Sequence, residues 1–327
     1  MPAVSVVVPV FRAELTLREL YRQLVPVLEL LSTEYEVIFV EDCGGDASWS
    51  VIESLSSEDS RVRGIRLNRN YGQHNALLCG IRSARHEVIV TMDDDLQHPA
   101  HEIGTLLSAL TPEVDVVYGA PSREQHGLLR NLASQMTKLA LSSAMGAETA
   151  RNVSAFRAFR TTLREGFRDY RSPSVSIDVL LTWATTRFAT VRVERRPRAA
   201  GVSGYSIGKL ISHAINLMTG FSTLPLRVAS IVGFAFVLLG MLIMIYVMVN
   251  FLIRGAAVPG FAFLASIITI FSGAQLFALG IFGEYLARMH FRSMDRPAYV
   301  VREQTGASAD SGTTPTLSPS AQVSIDV

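Results

Sequence analysis

Cysteine is scarce in this chain of 327 residues, which carries two, Cys43 and Cys79. Both lie in apparently buried segments, and their spacing matches neither a zinc site nor a disulfide framework, so reduced core thiols in a cytosolic compartment are expected. Charge of one sign is missing too. The 30 basic residues nearly balance 29 acidic ones, leaving a formal net charge of +1. No dense basic run is interleaved with aromatics, which argues against nucleic acid as a partner. Residues 1–25 show no basic start, long apolar core and small-residue cleavage site of the secretory kind. No Gly-x-Gly-x-x-Gly follows the first apolar run, which argues against a dinucleotide-binding dehydrogenase.

What is present is hydrophobicity, at 49% of residues, unevenly placed. Up to about residue 205, strand-like and helix-like segments alternate. "VSVVVPV" precedes a helical stretch from Glu14 to Leu31. "YEVIFVED" precedes a helix around Ser48 to Leu55, "RGIRLN" precedes the helical "GQHNALLCGIRSA", and "EVIVTMDDD" follows. Near-continuous apolar strands alternating with helices predict an α/β domain with a parallel sheet covered on both faces. Ligands of such sheets sit beyond the carboxyl ends of the strands, where Pro9, Asp42, Asn68 and Asp93 fall.

Farther on, 26 uncharged residues separate Arg227 from Arg254, and another 28 separate Gly255 from Glu284. Each exceeds the roughly 20 residues that span a bilayer. With only "RGAAVPG" between them, they predict a two-helix transmembrane hairpin. Arg195, Arg196, Arg198, Lys209 and Arg227 precede it and Arg288, Arg292, Arg296 and Arg302 follow it, while only Arg254 lies in the turn. The positive-inside rule then puts both termini in the cytoplasm. Just before the hairpin, Ile207, Leu210, Ile211, Ala214, Ile215, Met218 and Phe221 form one apolar stripe. That pattern fits a helix lying in the membrane interface. From about Gln304 the chain is rich in Ser, Thr, Ala and Gly, the composition of a disordered tail.

The run "VIVTMDDDLQHP" raises the chemical question, because adjacent carboxylates repel one another. A divalent cation is the simplest partner. If the strand continues through the run, Asp93 and Asp95 share a face and Asp94 turns away. With the Gln97 amide they offer hard oxygen ligands suited to Mg2+ or Mn2+, ions that take remaining ligands from water and substrate phosphates. A solvated acidic turn capping the next helix is the other reading of the same residues.

"VSVVVPVFRAE", "IFVEDCGGDAS", "RNYGQHNALLCGI" and "MDDDLQHP" occur in this order, each at a strand end. Together they resemble the family 2 glycosyltransferases of the GT-A fold, which use nucleotide-diphosphate sugars. "FRAFR", "GVSGYSIGKL", the paired spans and "GEYLARMHFRSMDRPAYVV" resemble, more closely, the membrane-anchored polyprenyl-phosphate glycosyltransferases. That group takes in dolichol-phosphate mannose synthase, bacteriophage-type glucosyl transferases and the undecaprenyl-phosphate aminoarabinose transferases. The resemblance covers about residues 3–302.

The resemblance implies the following roles. Pro9 and Glu14 line the nucleotide pocket, Asp42 accepts from the base, and Asn70, Gly72 and Gln73 lie near the diphosphate sugar. Asp93, Asp95 and Gln97 match the metal pattern Asp-x-Asp-x-Gln, with Mg2+ or Mn2+ as cofactor. Arg123 serves the donor, and Arg130, Arg198, Ser203, Tyr205 and Lys209 serve the acceptor phosphate. Arg157 belongs to the "FR" motif and, with Asn152, to the catalytic set. Asn152 stands where many relatives have a proposed base, Asp. A phosphate acceptor is already ionised near neutral pH and needs no base, so Asn152 orients the nucleophile or Asp178 lies nearby. Gly204 stands where relatives often carry Lys, with Lys209 as the nearest substitute.

The implied function is transfer of a sugar, from a UDP-sugar by resemblance, to a polyprenyl phosphate for the cell envelope, by a multi-pass homo-oligomer of the inner membrane. Two alternatives compete. A processive polysaccharide synthase shares the fold, but neither Trp49 nor Trp183 lies in a Gln-x-x-Arg-Trp motif. The other is an inactive membrane-tethered sugar-nucleotide sensor. The expected layout is a GT-A domain over 1–205, an interfacial amphipathic helix over 206–224, and two membrane helices within 225–287, at about 228–253 and 259–284. A basic juxtamembrane segment over 288–303 and a disordered tail over 304–327 complete it.

Overall fold

The computed structural model describes residues 1–121, 153–173, 175–196, 224–254 and 260–306. Eight strands form one sheet in the order β7-β5-β6-β4-β1-β2-β3-β8. The strands are β1 (Val4–Val10), β2 (Tyr35–Glu41), β3 (Val62–Leu67), β4 (Val88–Thr91), β5 (Val116–Pro121), β6 (Arg157–Arg160), β7 (Phe188–Val193) and β8 (Val301–Thr305). The central four, β3-β2-β1-β4, are parallel, as the alternation of strand and helix predicts. Beyond them β6 runs antiparallel between β4 and β5, and β8 runs antiparallel along the outer edge of β3.

β1 is buried along its whole length because both faces are covered. Val4, Val6, Val8 and Val10 pack with Leu17, Leu20, Leu24 and Leu28 of α1 (Leu17–Leu31) and with Ile52 of α2 (Ser48–Glu58). Val7, Ile38 and Val40 pack on the other side with Leu77, Leu78 and Ile81 of α3 (Gln73–Ser83). The Leu17, Leu20, Leu24, Leu28 spacing is the stripe of a helix with one apolar face. α4 (Glu102–Ala109) adds Ile103 and Leu106 to the first patch. A 3₁₀ helix (Thr161–Phe167) and α5 (Ile177–Ala184) add Leu163, Ile177 and Leu180 to the second.

α1 starts at Leu17 rather than Glu14, because Thr16 and Leu17 donate to the Ala13 carbonyl and Glu14 turns to another loop. A second departure lies at the far edge, where Gln304 and Thr305, assigned by composition to a tail, are strand residues. They pair with Ile65 and Gly64, and the Ser56 and Thr305 hydroxyls lie 2.8 Å apart. Polar residues suit an edge strand with one exposed side, so composition reads poorly there.

α6 (Leu224–Arg254) and α7 (Phe261–Ser293) are the predicted apolar helices, each longer than its uncharged run. They contain membrane-length spans at Leu226–Ile253 and Ile270–Ala287, 28 and 18 residues long. Phe236 and Phe271 meet edge to face at 5.5 Å, while large residues such as Leu242, Tyr246, Leu276 and Phe282 are exposed. Helices apolar all round and uncovered by protein suit a lipid environment. The helix expected over 206–224 lies outside the described residues, apart from its last position.

Candidate active site

The strand order reverses between β1 and β4, which pair with each other in parallel, and a crevice opens at such a switch beyond the carboxyl ends. Three loops converge there, after β1, β2 and β4. Each contains a non-glycine residue in the left-handed region: Arg12 (φ 56), Cys43 (φ 54) and Leu96 (φ 61). Left-handed backbone of this kind is costly and clusters at functional sites. Cys43 is therefore a partly exposed loop residue rather than a core thiol, whereas Cys79 is buried as expected.

The β1 and β2 loops are tied by reciprocal caps. Glu14 accepts from the Ala47 N–H at 2.8 Å, at the start of α2. Asp46 accepts from the Glu14 N–H at 3.2 Å and from the Ser48 hydroxyl at 2.8 Å. Glu14, expected in the nucleotide pocket, here fastens one loop to the other; Pro9 is buried in β1 beside Val40.

Asp42, expected to meet the base, is engaged by backbone. Its two carboxylate oxygens accept from the backbone N–H groups of Tyr71, at 2.7 Å, and Gly72, at 2.8 Å. Burial raises its carboxyl above the ordinary aspartate value, opposed by these two bonds, and neighbouring Glu41 adds to the rise. Asp42 thus holds the loop that carries Asn70, which is exposed, and Gly72, whose φ of 95 suits glycine at the entry of α3.

The acidic run itself departs from strand geometry. β4 ends at Thr91, so side-chain alternation does not extend through the aspartates. Asp94 accepts from the Phe11 N–H at 3.0 Å and joins the β4 and β1 loops across the switch point. Burial pushes its carboxyl up to about 7, and the Asp93 and Asp95 charges add to the rise. Asp93 accepts from the Gln73 amide at 2.6 Å, which brings two expected site residues together. Asp95 accepts from the Gln97 N–H at 3.1 Å. The Gln97 side-chain oxygen, expected on a metal, accepts from Arg195 Nε at 2.8 Å, and its backbone oxygen accepts from Arg196 N–H at 2.9 Å. The acidic loop is thereby clamped to the segment that leads toward the expected acceptor residues.

Among the described residues no three His, Cys, Asp or Glu side chains form a ready metal cage. Two carboxylates on one loop are nonetheless the oxygen donor set on which Mg2+ or Mn2+ is held when substrate phosphates complete the shell, so the residues fit such an ion.

Arg157 lies beneath the loop and not in it. It is 1% exposed, donates from Nε to the Thr91 hydroxyl at 3.1 Å, and pairs through its guanidinium with Asp178. The Tyr118 hydroxyl donates to the same Asp178 carboxylate at 3.1 Å. Arg157, expected in the catalytic set, braces the end of β4 through Thr91. Asp178 is buried in that pair. Next to the loop, His98 stacks on Phe156 at 5.0 Å, and burial lowers it to about 4, so it is neutral. The missed residues are Asp46, Asp94 and Arg195. Asp94 had a signal in the acidic run; the other two gain meaning only from their partners. Arg123, Arg130, Asn152, Arg198, Ser203, Tyr205 and Lys209 lie outside the described residues.

Known proteins resemble this chain in sequence and in fold. The family model described as glycosyl transferase family 2 matches residues 5–170. The undecaprenyl-phosphate 4-deoxy-4-formamido-L-arabinose transferase of Pseudomonas fluorescens (strain SBW25) is 35% identical over 313 residues, 94% of this chain and 92% of that protein. Its namesake in Proteus mirabilis (strain HI4320) is 34% identical over 306 residues, covering 93% and 94%. Among solved structures, glucosyl-3-phosphoglycerate synthase of Mycobacterium tuberculosis, in complex with Mn2+, UDP and glucosyl-3-phosphoglycerate, superposes with a TM-score of 0.51. It is 16% identical over 67% of this chain and 79% of that one, a likeness of fold.

Proposed function

The chain belongs to glycosyl transferase family 2, and on that premise we propose that it moves a sugar from a nucleotide-diphosphate sugar, a UDP-sugar in our reading, to a polyprenyl phosphate. The observation that carries this reading is the position of Asp93, Asp94 and Asp95. They stand at the carboxyl edge of β4, joined to β1 at the switch point, in a chain that also bears two membrane-length helices.

The loops after β1, β2 and β3 hold the nucleotide, with Asp42 and the Glu14–Asp46 pair fixing their shape. Asp93 and Asp95 would hold a divalent ion, Mg2+ or Mn2+. When bound, such an ion neutralises charge growing on the departing diphosphate. The Gln97 side-chain oxygen, which accepts from Arg195, would offer the ion its second lone pair. The attacking oxygen belongs to a phosphate already ionised at neutral pH, so no protein base is needed, in keeping with Asp178's burial against Arg157. Arg123 serves the donor, and Arg130, Arg198, Ser203, Tyr205 and Lys209 gather the acceptor phosphate, for which the guanidinium fork is well shaped. Asn152 orients the nucleophile. α6 and α7 form a hairpin across the inner membrane with both termini and the catalytic domain in the cytoplasm, and a helix over 206–224 lies at the interface. The anchored protein works as a homo-oligomer.

The test is a panel of radiolabelled nucleotide sugars offered to the full chain with undecaprenyl phosphate and Mg2+ or Mn2+. The expected result is one preferred UDP-sugar, a chloroform-soluble labelled lipid and release of nucleoside diphosphate. Polymeric product would point to a processive synthase. Binding of nucleotide sugar without turnover of any donor would point to a sensor.

A further inference from the structure

A second surface of the catalytic domain lies where the chain leaves α7. Arg171 pairs with Asp295 at 3.3 Å, two residues beyond the end of that helix. The segment then re-enters the domain: Ala298 is buried against the patch containing Phe167 and Ile177, and the Val300 carbonyl accepts from Asn68 N–H at 2.9 Å. Arg82 anchors the facing loop, donating to the carbonyls of Arg168 at 2.8 Å and Tyr170 at 2.7 Å. Upon this braced loop stands an aromatic pair that the proposed chemistry does not use. Tyr170 and Trp183 meet edge to face at 5.6 Å, and Trp183 is 53% exposed at the end of α5. Arg168, which also pairs with Glu165 at 3.3 Å, and Arg171 flank it with side chains 74% and 69% exposed.

The depth of this surface follows from the helix. α7 continues from Ala287, the end of its span, to Ser293. Six residues rise about 9 Å, slightly more than the depth of a headgroup layer of roughly 5–8 Å on each side, so α7 ends at the outer face of that layer. Trp and Tyr concentrate at that level because their rings are apolar with a polar edge. The charge is complementary as well. From Arg288 to Arg296 three arginines outnumber one aspartate, Asp295, and anionic headgroups attract basic residues at that distance.

We propose that Tyr170 and Trp183, with Arg168 and Arg171, are the surface by which the catalytic domain rests on an anionic bilayer beside the exit of α7. The inference rests on the membrane hairpin of the reading above. It gives the domain a second point of support, so that the donor site keeps a fixed height over the lipid phosphate.

The full chain carrying Trp49→Phe retains Trp183 as its sole tryptophan, since the sequence has two. It is incorporated into vesicles of phosphatidylethanolamine and phosphatidylglycerol whose lipids bear nitroxide at the headgroup or in mid-chain. Flotation with the vesicles comes first. Headgroup nitroxide should then quench Trp183 at least about twofold more than mid-chain nitroxide, as befits a ring at interfacial depth. Access of aqueous acrylamide should fall relative to detergent. If Trp49→Phe does not fold, the quenching difference between wild type and Trp183→Phe gives the same measurement. A chain that floats while Trp183 stays open to acrylamide and unquenched by lipid overturns this inference and leaves the hairpin standing. Shielding from acrylamide without lipid quenching would mean a second copy covers the surface, which also overturns it. Failure to float would overturn the hairpin and this inference together.

Discussion

Glu36 and Asp42 stand at opposite ends of β2, equally buried at 4% and 3% exposure, and the protein meets them in opposite ways. Around Glu36 stand the Arg63 guanidinium at 2.8 Å, the Ser5 hydroxyl at 2.7 Å and the Arg85 N–H at 2.7 Å. Burial would raise that carboxyl, but these partners outweigh it and hold it below the ordinary glutamate value. Asp42 is met by two neutral N–H groups, and its carboxyl is raised. Asp46 and Asp94 follow Asp42, with neutral donors among the described residues. A closed ion pair is a finished structure. Carboxylates gathered at a crevice and bound by neutral donors have no such partner among the described residues, and their ionised form is favoured once a cation arrives from outside.

Substitutions at the two ends should therefore fail differently. The largest effect is expected from Asp95→Ala. Loss of a cation that contributes several kcal/mol to the transition state should cut transfer by roughly 100-fold or more, with the melting temperature close to wild type. Assay and calorimetry on the same preparation check both halves. Arg157→Met should do the reverse. Removing one partner of a buried ion pair leaves Asp178 uncompensated, at a cost of about 3–5 kcal/mol. Chemical denaturation reads the loss, and Arg157→Met/Asp178→Leu should recover much of it.

Glu36→Gln should have a smaller effect with a pH signature. A carboxyl whose folded pKa lies below its unfolded value contributes stability above the unfolded value, and that contribution is lost as pH falls through the folded one. The wild-type domain should therefore lose stability as pH drops below about 4.3, the ordinary glutamate value, and Glu36→Gln should flatten that slope. Thermal melts across an acid series measure it. The smallest effect belongs to Glu303→Gln at the β8 edge. Glu303 is 42% exposed where it meets Arg66, so at most about 1 kcal/mol is at stake. A larger change would mean that β8 carries more of the fold than its edge position suggests.

Much of the fold was legible because its central strands and helices are local. "VSVVVPV", "YEVIFVE" and the Leu17 to Leu28 stripe declare themselves within a few residues. The antiparallel half was not legible. β6 is four residues, Arg157–Arg160, and β8 pairs with a strand more than 230 residues earlier, so both are set by tertiary contacts. In the site, the residue types pointed to loops that the fold gathers at the switch point, but their partners did not show. The strand's end at Thr91 cancelled the alternation expected of Asp93 to Asp95. Arg157 was placed by its "FR" motif, and its burial against Asp178, which braces β4, is set by a residue 21 positions away. Gln97's engagement with Arg195 spans 98 positions, beyond any local pattern.

The most direct measurement is a titration of the full chain with Mn2+ followed by electron paramagnetic resonance, with and without UDP, for wild type and Asp95→Ala. Wild type should bind the ion, and UDP should tighten that binding, while Asp95→Ala should lose both effects with its fold intact. Equal, UDP-responsive Mn2+ binding by the two proteins would contradict the placing of the ion on this loop.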